Sequence, residues 1–504
     1  MVIRVLVIGS GAREHALVLA LARSPQVERI YCAPGNPGTA LVAENLALTA
    51  DSDAAVQALA KWAFEQQIDL TVVGPELPLT LGVVDEFRAV GLPIVGPARA
   101  AAQLESSKSW ARAFMDRHGI PAPQYQVTHT AEELGAYLAH ARFPLVLKVD
   151  GLAGGKGTVV AQTFAEAREA LLLMEQAGIL REGEGLETVV CEEFLEGREV
   201  SALAFTDGKV VVPMPPACDY KRLLDGGTGP MTGGMGGYSP APWISDEQWA
   251  EIAATVLLPT VAGMAEEGIP FQGFLYAGLM MTAQGPRVLE YNVRLGDPEA
   301  QLLLPRLESD LVDILLAMTE GRLHAVAPGI VWSPEATCGV VLASGGYPAQ
   351  SLIGRPISGL GELPEGVLAF HAGTRVQQEG PVWVRSNDPS RPPPPDLYDS
   401  PMDETPALAA KGIYRYLRLK ALPGTPGKSS VEAQMDALLA GPRMVTAGGR
   451  VLTLVARAST LDEARRRVYA AAERVSFEGV QYRKDIGLLT EPTPAKQSPG
   501  SKAQ

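Results

Sequence analysis

Four apolar stretches in the first hundred residues each run into a glycine turn, and that repetition constrains the fold more than any other feature of the chain. Residues 3–8 lead into Gly9-Ser-Gly11 and then a helical Ala/Leu run to Arg23. Residues 29–33 lead into Gly35-Asn36-Pro37-Gly38, residues 69–73 into Gly74-Pro75-Glu76, and residues 92–95 into Gly96-Pro97. Strand, glycine turn, helix is the unit of a doubly wound α/β domain, whose ligands sit beyond the carboxyl ends of its parallel strands. Each turn alone reads as chain reversal, but four in register favour a ligand-binding edge. A dinucleotide fingerprint fails at its third glycine, where Glu14 stands. A monophosphate at backbone N–H groups and a helix N-terminus fits better.

At 504 residues the chain is long enough for several domains. Its formal net charge of −14 argues against broad nucleic-acid or anionic-membrane binding, but not against a local pocket for a phosphorylated substrate. The four cysteines (Cys32, Cys191, Cys218, Cys338) form no Cys-x-x-Cys pair, so neither a zinc site nor a disulfide framework is expected, and a reducing cytoplasm is the natural setting. No apolar run reaches membrane-spanning length, and no charged leader with a cleavage site precedes the first strand.

Two stretches carry most of the chemistry. Residues 143–149 read as a strand bearing Lys148, followed by the loop Gly151-Leu-Ala-Gly154-Gly155-Lys156-Gly157 and a second strand over 158–161. This is a hairpin flap suited to phosphates, with glycines for close approach and lysines as point charges. It is not a Walker A loop, because it leads to a strand and lacks that spacing. Residues 288–293 read as a strand on which Glu290 and Asn292, two apart, share one face. Two hard oxygens with little other protein donation suit Mg²⁺ held jointly with substrate phosphates. Arg294 extends that face if the strand runs on. Residues 271–280 are expected to pair with this strand.

Other segments are read more coarsely. Glu192 and Glu193, at the end of a strand over 188–191, are edge charges or the place where an adenine and its ribose sit. Residues 217–238 are too glycine-rich for a core element and read as a long loop entered by Asp219, Lys221 and Arg222. Helices are expected from Leu104 to His118, from Leu302 to Met318 and from Leu461 to Arg474. Strands resume over 338–344, 369–373 and 445–455, the last with a Gly448-Gly449 hairpin turn.

These motifs together, with Gly273-Phe-Leu-Tyr-Ala-Gly278, Thr228-Gly-Pro-Met-Thr-Gly-Gly-Met-Gly236, Asn292-Val-Arg-Leu-Gly-Asp-Pro-Glu299 and Arg483-Lys-Asp-Ile-Gly487, resemble the phosphoribosylamine–glycine ligase family of the ATP-grasp superfamily. The resemblance covers about residues 2–375 and 444–490. It implies an α/β chain with an N-terminal doubly wound parallel-sheet domain (1–104), a central ATP-grasp region (105–328) with a mobile lid (123–195), and a C-terminal mixed β domain (329–490). A Pro-rich insertion (376–443) and a disordered tail (491–504) complete the expected layout, with 413–420 as a candidate docking segment.

The implied reaction is ligation of glycine to 5-phosphoribosylamine through glycyl phosphate, with ATP and Mg²⁺, Mn²⁺ being an alternative. Implied ATP contacts are Lys108, Lys148, Gly154, Gly155, Lys156 and Gly157 at the phosphates, with Glu192, Glu193, Leu195 and Glu199 around the nucleoside. Glu290 and Asn292 take the metal; Arg294, Asp297, Lys221 and Asp219 face the glycine and the transferring phosphate. Gly11, Asn36, Gly38 and Glu76 take the ribose phosphate. The implied partners are these small molecules, without nucleic acid or membrane, and the implied state is a monomer or weak homodimer. The family's usual second glycine before Arg-Glu-His is Ala12 here, and its usual Cys and Phe flanking the following Arg are Val293 and Leu295. No acid stands on the strand before Glu290, where many ATP-grasp enzymes have one. Biotin-dependent carboxylase subunits and formate-using purine synthetases share the flap but not the Gly-Asp-Pro-Glu run. A non-catalytic nucleotide sensor would have lost the metal pair or the flap lysines, and both are present.

Overall fold

The computed structural model describes residues 2–152, 157–176, 188–377 and 443–489. Gly154, Gly155 and Lys156, all but the ends of the 376–443 segment (413–420 included), and the 491–504 tail lie outside the described residues.

Strands β1 (Ile3–Gly9), β2 (Val27–Pro34), β3 (Glu44–Asn45), β4 (Leu70–Val73) and β5 (Ile94–Val95) form one parallel sheet ordered β3-β2-β1-β4-β5. The four expected glycine turns therefore lie along one carboxyl edge, with β3 as an addition. Helix Ala12–Leu21 is buried along its whole length, because its outer face is covered by later helices. Glu14 shows why the dinucleotide fingerprint fails. Its carboxylate accepts the Gly11 N–H at 2.5 Å and fills the crevice so closely that a Cβ on Gly74 would lie 2.1 Å from Glu14 Oε1. The Glu14 side chain, paired with Arg13 Nε at 2.6 Å, fills the space that a pyrophosphate would have to occupy.

The chain continues through β6 (Tyr125–Thr128), β7 (Leu145–Val149), β8 (Thr158–Ala161) and β9 (Val189–Glu193), an antiparallel sheet ordered β6-β9-β7-β8 with a small apolar core of its own. Next come β10 (Arg198–Asp207), β11 (Val211–Pro213), β12 (Cys218–Asp219), β13 (Arg222–Leu224), β14 (Thr228–Met231), β15 (Gly236–Ser239), β16 (Gln272–Thr282) and β17 (Gly285–Asn292). Strands β11-β10-β16-β17 make a second antiparallel sheet, in which β16 pairs with β17 as expected and Gly278 lies opposite Glu290. After it come β18 (Ala336–Ala343), β19 (Val367–His371), β20 (Thr374–Gln377), β21 (Arg443–Thr446) and β22 (Arg450–Ala458). The last large sheet is ordered β12-β15-β18-β22-β19, antiparallel throughout, with helix Leu461–Ala472 across it.

Three expectations change. Residues 217–238 are not a bare loop: β12 and β15 belong to this last sheet, and β15 is buried throughout. The glycines are there for close approach, since a Cβ on Gly236 would meet the Gly339 carbonyl at 2.3 Å and one on Gly237 the Cys218 carbonyl at 2.2 Å. The helix expected over 302–318 breaks into Glu299–Leu303, a 3₁₀ turn at Leu304–Arg306 containing Pro305, and Leu311–Thr319, which Asp310 caps through the Val312 N–H at 2.9 Å. The Gly448-Gly449 turn does not close a hairpin. β21 pairs with β20, whereas β22 enters the large sheet between β18 and β19. Val376 and Gln377 pair with Met444 and Arg443 at the end of the β20–β21 ribbon.

The parallel sheet is locked to β19 by a histidine pair. The His371 N–H donates to His15 Nδ1 at 3.0 Å, and Asn36 Nδ2 donates to the His371 carbonyl at 2.8 Å. Both rings are fully buried, and neither Nε2 has a partner among the described residues. Burial lowers His371 to about 4 and takes His15 well below its usual value. The folded chain thus refuses protons that the unfolded chain accepts below about pH 6.5. The stability that these neutral rings contribute is full above that pH and is lost as pH falls toward about 4. In equilibrium unfolding, His371→Gln should shrink the stability lost between about pH 7 and about pH 4.5 by roughly 2 kcal/mol. An unchanged loss would show that this ring titrates alike in both states.

Candidate active site

A cavity of about 470 Å³ lies between the β6–β9 sheet, strands β16–β17 and the carboxyl edge of the parallel sheet. Glu290 and Asn292 line it from the end of β17. The pairing register slips at this point, from Gly278–Glu290 to Leu279–Val288, so Leu289 bulges out of the ladder. Its freed carbonyl turns toward the cavity and accepts from Lys148 Nζ at 2.6 Å and Arg112 Nη2 at 2.7 Å. Beyond the bulge, Glu290 and Asn292 are again two apart on one face. Among the described residues neither side chain makes a hydrogen bond or ion pair. Burial acts to raise the Glu290 carboxyl, but Lys221, Lys148, Lys108 and Arg294 outweigh it and hold it below the usual range. Gly278, opposite, has no side chain; a Cβ there would come within 3.3 Å of Glu290 Cγ. An ionised carboxylate and an amide oxygen, both unengaged and given room, fit a hard divalent cation. Among the described residues no group of three or more His, Cys, Asp or Glu gathers as a metal centre, so Glu290 and Asn292 stand as an isolated pair of oxygen donors.

The side of the cavity against the β6–β9 sheet is organised by a buried ion cluster. Glu192 receives Arg112 Nε on Oε1 at 2.7 Å and Lys148 Nζ on Oε2 at 2.9 Å, with the Arg112 and Glu192 side chains only 3% and 2% exposed. Arg112 Nη1 also donates to the Val288 carbonyl at 2.8 Å. The Glu192 carboxylate is therefore committed to cations, not free for ribose hydroxyls. Glu193 is exposed and accepts the Gln124 N–H at 2.9 Å. Glu199 opens into the cavity, yet the cleft walls strip it of water and raise its carboxyl. Lys108 opens helix Lys108–Arg117, which Ser107 caps and which that single residue separates from helix Arg99–Ser106. The segment expected as one helix from Leu104 is thus broken at Ser107. Asp150, at the base of the flap, accepts the Lys108 N–H at 2.5 Å and the Ser107 and Ser109 hydroxyls, and Lys108 Nζ reaches the Gly151 carbonyl at 2.7 Å.

The opposite end of the cavity mixes charges. β17 stops at Asn292, so Arg294 leaves the strand face and bridges two acids instead, Glu76 at 3.2 Å and Glu105 at 2.9 Å. One guanidinium cannot hold both equally. Burial pushes Glu105 up to about 7 despite Arg294, whereas Glu76, nearer the surface, is held at about 2 by Arg294 and Arg13 against its own burial. Lys221 Nζ lies 3.0 Å from Asp219 Oδ2. Asp297 accepts Gln301 Nε2 at 2.7 Å and has Arg450 Nη1 3.4 Å from Oδ1. Tyr276 and Ser201 hydroxyls donate to Glu299 at 2.7 and 3.0 Å.

Three consecutive family patterns run along the chain: the phosphoribosylglycinamide synthetase N domain over residues 3–105, its ATP-grasp (A) domain over 106–300 and its C domain over 421–489. A phosphoribosylamine–glycine ligase from Ralstonia nicotianae is 42% identical over 96% of this chain and 98% of its own length. One from Halalkalibacterium halodurans is 41% identical over 96% of both. The chain belongs to the phosphoribosylamine–glycine ligase family. It is an ATP-grasp ligase. The crystal structure of the phosphoribosylamine–glycine ligase from Thermotoga maritima superposes with a TM-score of 0.68 at 31% identity, covering 96% of this chain and 100% of that one. The biotin carboxylase domain of a Hydrogenobacter thermophilus 2-oxoglutarate carboxylase gives 0.64 at 13% identity, a likeness of fold alone. The C-domain match begins at 421, inside the segment read as an insertion.

Against this ligase family, the described residues singled out from the sequence divide into two groups. Lys108, Lys148, Gly157, Glu192, Glu193, Leu195, Glu199, Asp219, Lys221, Glu290, Asn292, Arg294, Asp297 and Glu76 all line the one cavity. Gly11, Asn36 and Gly38 do not. The Gly11 N–H is spent on Glu14. Asn36 is buried and braces the turns, its Nδ2 on the Ser10 and His371 carbonyls and its Oδ1 on the Gly38 N–H at 2.7 Å. Arg112, Asp150, Glu105 and Arg450 were missed. Arg112 sits one helical turn after Lys108, and that spacing was the available signal; Arg450 offered none. Arg112→Met should cost ~2–4 kcal/mol in chemical denaturation by leaving Glu192 Oε1 and the Val288 carbonyl without their donor, Lys148 remaining as the only cation on Glu192 among the described residues, and adding Glu192→Gln should recover part of it. Independent, additive losses would contradict the shared cluster.

Proposed function

We propose that this cavity joins glycine to 5-phosphoribosylamine at the expense of ATP, giving glycinamide ribonucleotide, ADP and phosphate in purine synthesis. The observation that carries the reading is near-full-length similarity to phosphoribosylamine–glycine ligases, together with a cavity that collects Glu290 and Asn292, Lys108 and Lys148, and Asp219 and Asp297. A carboxylate is a poor electrophile, because its leaving group would be oxide. Transfer of the ATP γ-phosphoryl to the glycine carboxylate makes glycyl phosphate, and attack by the amine of phosphoribosylamine then expels phosphate. The protein's part is positioning and charge stabilisation.

Lys108 and Lys148 serve the ATP phosphates, with Lys148 exchanging Glu192 for a phosphate oxygen. Glu193 and Leu195 border the base, and Glu199 the ribose. A divalent cation held by Glu290 and Asn292 neutralises phosphate charge when bound; Mg²⁺ is the expected ion and Mn²⁺ an alternative. Arg294 steadies the transferring group. Asp219, Lys221 and Asp297 hold glycine through its ammonium and carboxylate. The acceptor lies at the carboxyl edge of the parallel sheet, where Arg13, itself paired with Glu14, and Arg294 line the cavity. The β6–β9 sheet acts as the lid over the nucleotide, and the reaction takes place in the cytoplasm.

Phosphate release from ATP should require glycine and phosphoribosylamine together; turnover indifferent to phosphoribosylamine, or preferring another carboxylic acid, would overturn the assignment. Glu290→Ala should lower kcat by ~10²–10³-fold while the folding transition stays in place. Activity retained at ordinary Mg²⁺ would remove Glu290 from the metal site.

A further inference from the structure

We propose that Arg450 is a positioning residue that holds Asp219 and Asp297 at a fixed separation in the substrate half of the cavity. The inference rests on the ligase reading above for what those acids do, but its geometry stands apart from it. Arg450 is the first residue of β22, far along the chain from every motif that marks the site. Its Nη1 donates to the Gly233 carbonyl and to the Asp297 carbonyl, each at 2.6 Å, and lies 3.4 Å from Asp297 Oδ1. Short bonds from an ionised donor are the strong kind. Burial works against the charge, but Asp297 leads the groups that outweigh it and keep Arg450 protonated.

What those two carbonyls join decides the role. Gly233 and Gly234 form the turn into β15, and Gly234 has φ +114°, where only glycine is comfortable. A Cβ on Gly234 would lie 2.7 Å from Pro298 Cδ, 3.2 Å from Asp219 Oδ2 and 3.3 Å from the Asp297 carbonyl. The Gly233-Gly234 backbone is thus a spacer wedged between the two acids, and the guanidinium pins one end of it to Asp297. On the other side, the Tyr347 hydroxyl accepts the Gly233 N–H at 3.1 Å. Without Arg450, the Gly233 and Asp297 carbonyls lose a shared donor, and Asp297 keeps only Gln301 as a direct side-chain partner among the described residues. The nucleotide cations Lys108 and Lys148 have their own partners and do not depend on this contact.

The test compares full-length wild type, R450M and R450K in steady-state assays varying ATP, glycine and phosphoribosylamine. R450M should lose ~10²-fold in kcat/KM for glycine while the KM for ATP stays within about twofold. R450K should recover at least about a tenth of wild-type kcat/KM, because one point cation can serve both carbonyls. Equal losses for all three substrates with a lowered Tm, or no loss, would overturn the proposal. A crystal structure of R450M needs no activity: the Gly233-Gly234 turn should move away from Asp297, and an unmoved turn would overturn the positioning role. If wild type itself fails to ligate glycine, the ligase reading falls, while the crystallographic outcome still decides the role of Arg450.

Discussion

The carboxylate of Glu192 is the point on which the site's geometry depends. It lies at the end of β9, deep enough that an unpaired charge would be strongly destabilising, and it is satisfied by one cation from a helix and one from β7. Both cations also hold the Leu289 carbonyl, which the β-bulge releases from its ladder. One buried acid therefore ties the β6–β9 sheet, helix Lys108–Arg117 and the β17 strand together, one residue short of Glu290. The bulge is what makes this possible, because a regular ladder would have kept that carbonyl paired with β16.

Around this anchor the cavity separates by charge. At one end cations dominate, and they keep Glu290 ionised even though burial opposes it. At the other, acids and cations alternate, with Arg294 shared between Glu76 and Glu105 and Lys221 beside Asp219. A polyphosphate suits the first environment; a zwitterion, carrying both signs, suits the second. The last sheet takes part directly, since β12 brings Asp219 and β22 brings Arg450 to the same wall.

Much of this was legible from residue patterns. Strand–glycine-turn–helix repeats predict the parallel sheet because their periodicity is local, and the pairing of β16 with β17 follows from two adjacent alternating runs. Glu290 and Asn292 could be placed on one face from spacing alone, since side chains two apart on a strand share a side. Less legible were features set by distant neighbours. Residues 217–238 looked like a loop because glycine is poor in strands, yet here the partner strands come too close for any side chain. Gly11, Asn36 and Gly38 looked like phosphate ligands because such turns often are. Their donors are instead consumed by Glu14, by one another and by His371, a residue more than three hundred positions away.

The sequence by itself determined the fold class, the strand that carries Glu290 and Asn292, and the family, because each is written in short-range patterns and ordered motifs. Only the tertiary structure decided which charges are free and which are spent. Glu192 and Glu290 are both acids at strand ends, and nothing local distinguishes them. One is neutralised by Arg112 and Lys148, while the other faces the cavity with no direct partner among the described residues. That difference comes from which cations the packing brings within about 3 Å of each carboxylate, a distance set by elements far apart in the chain.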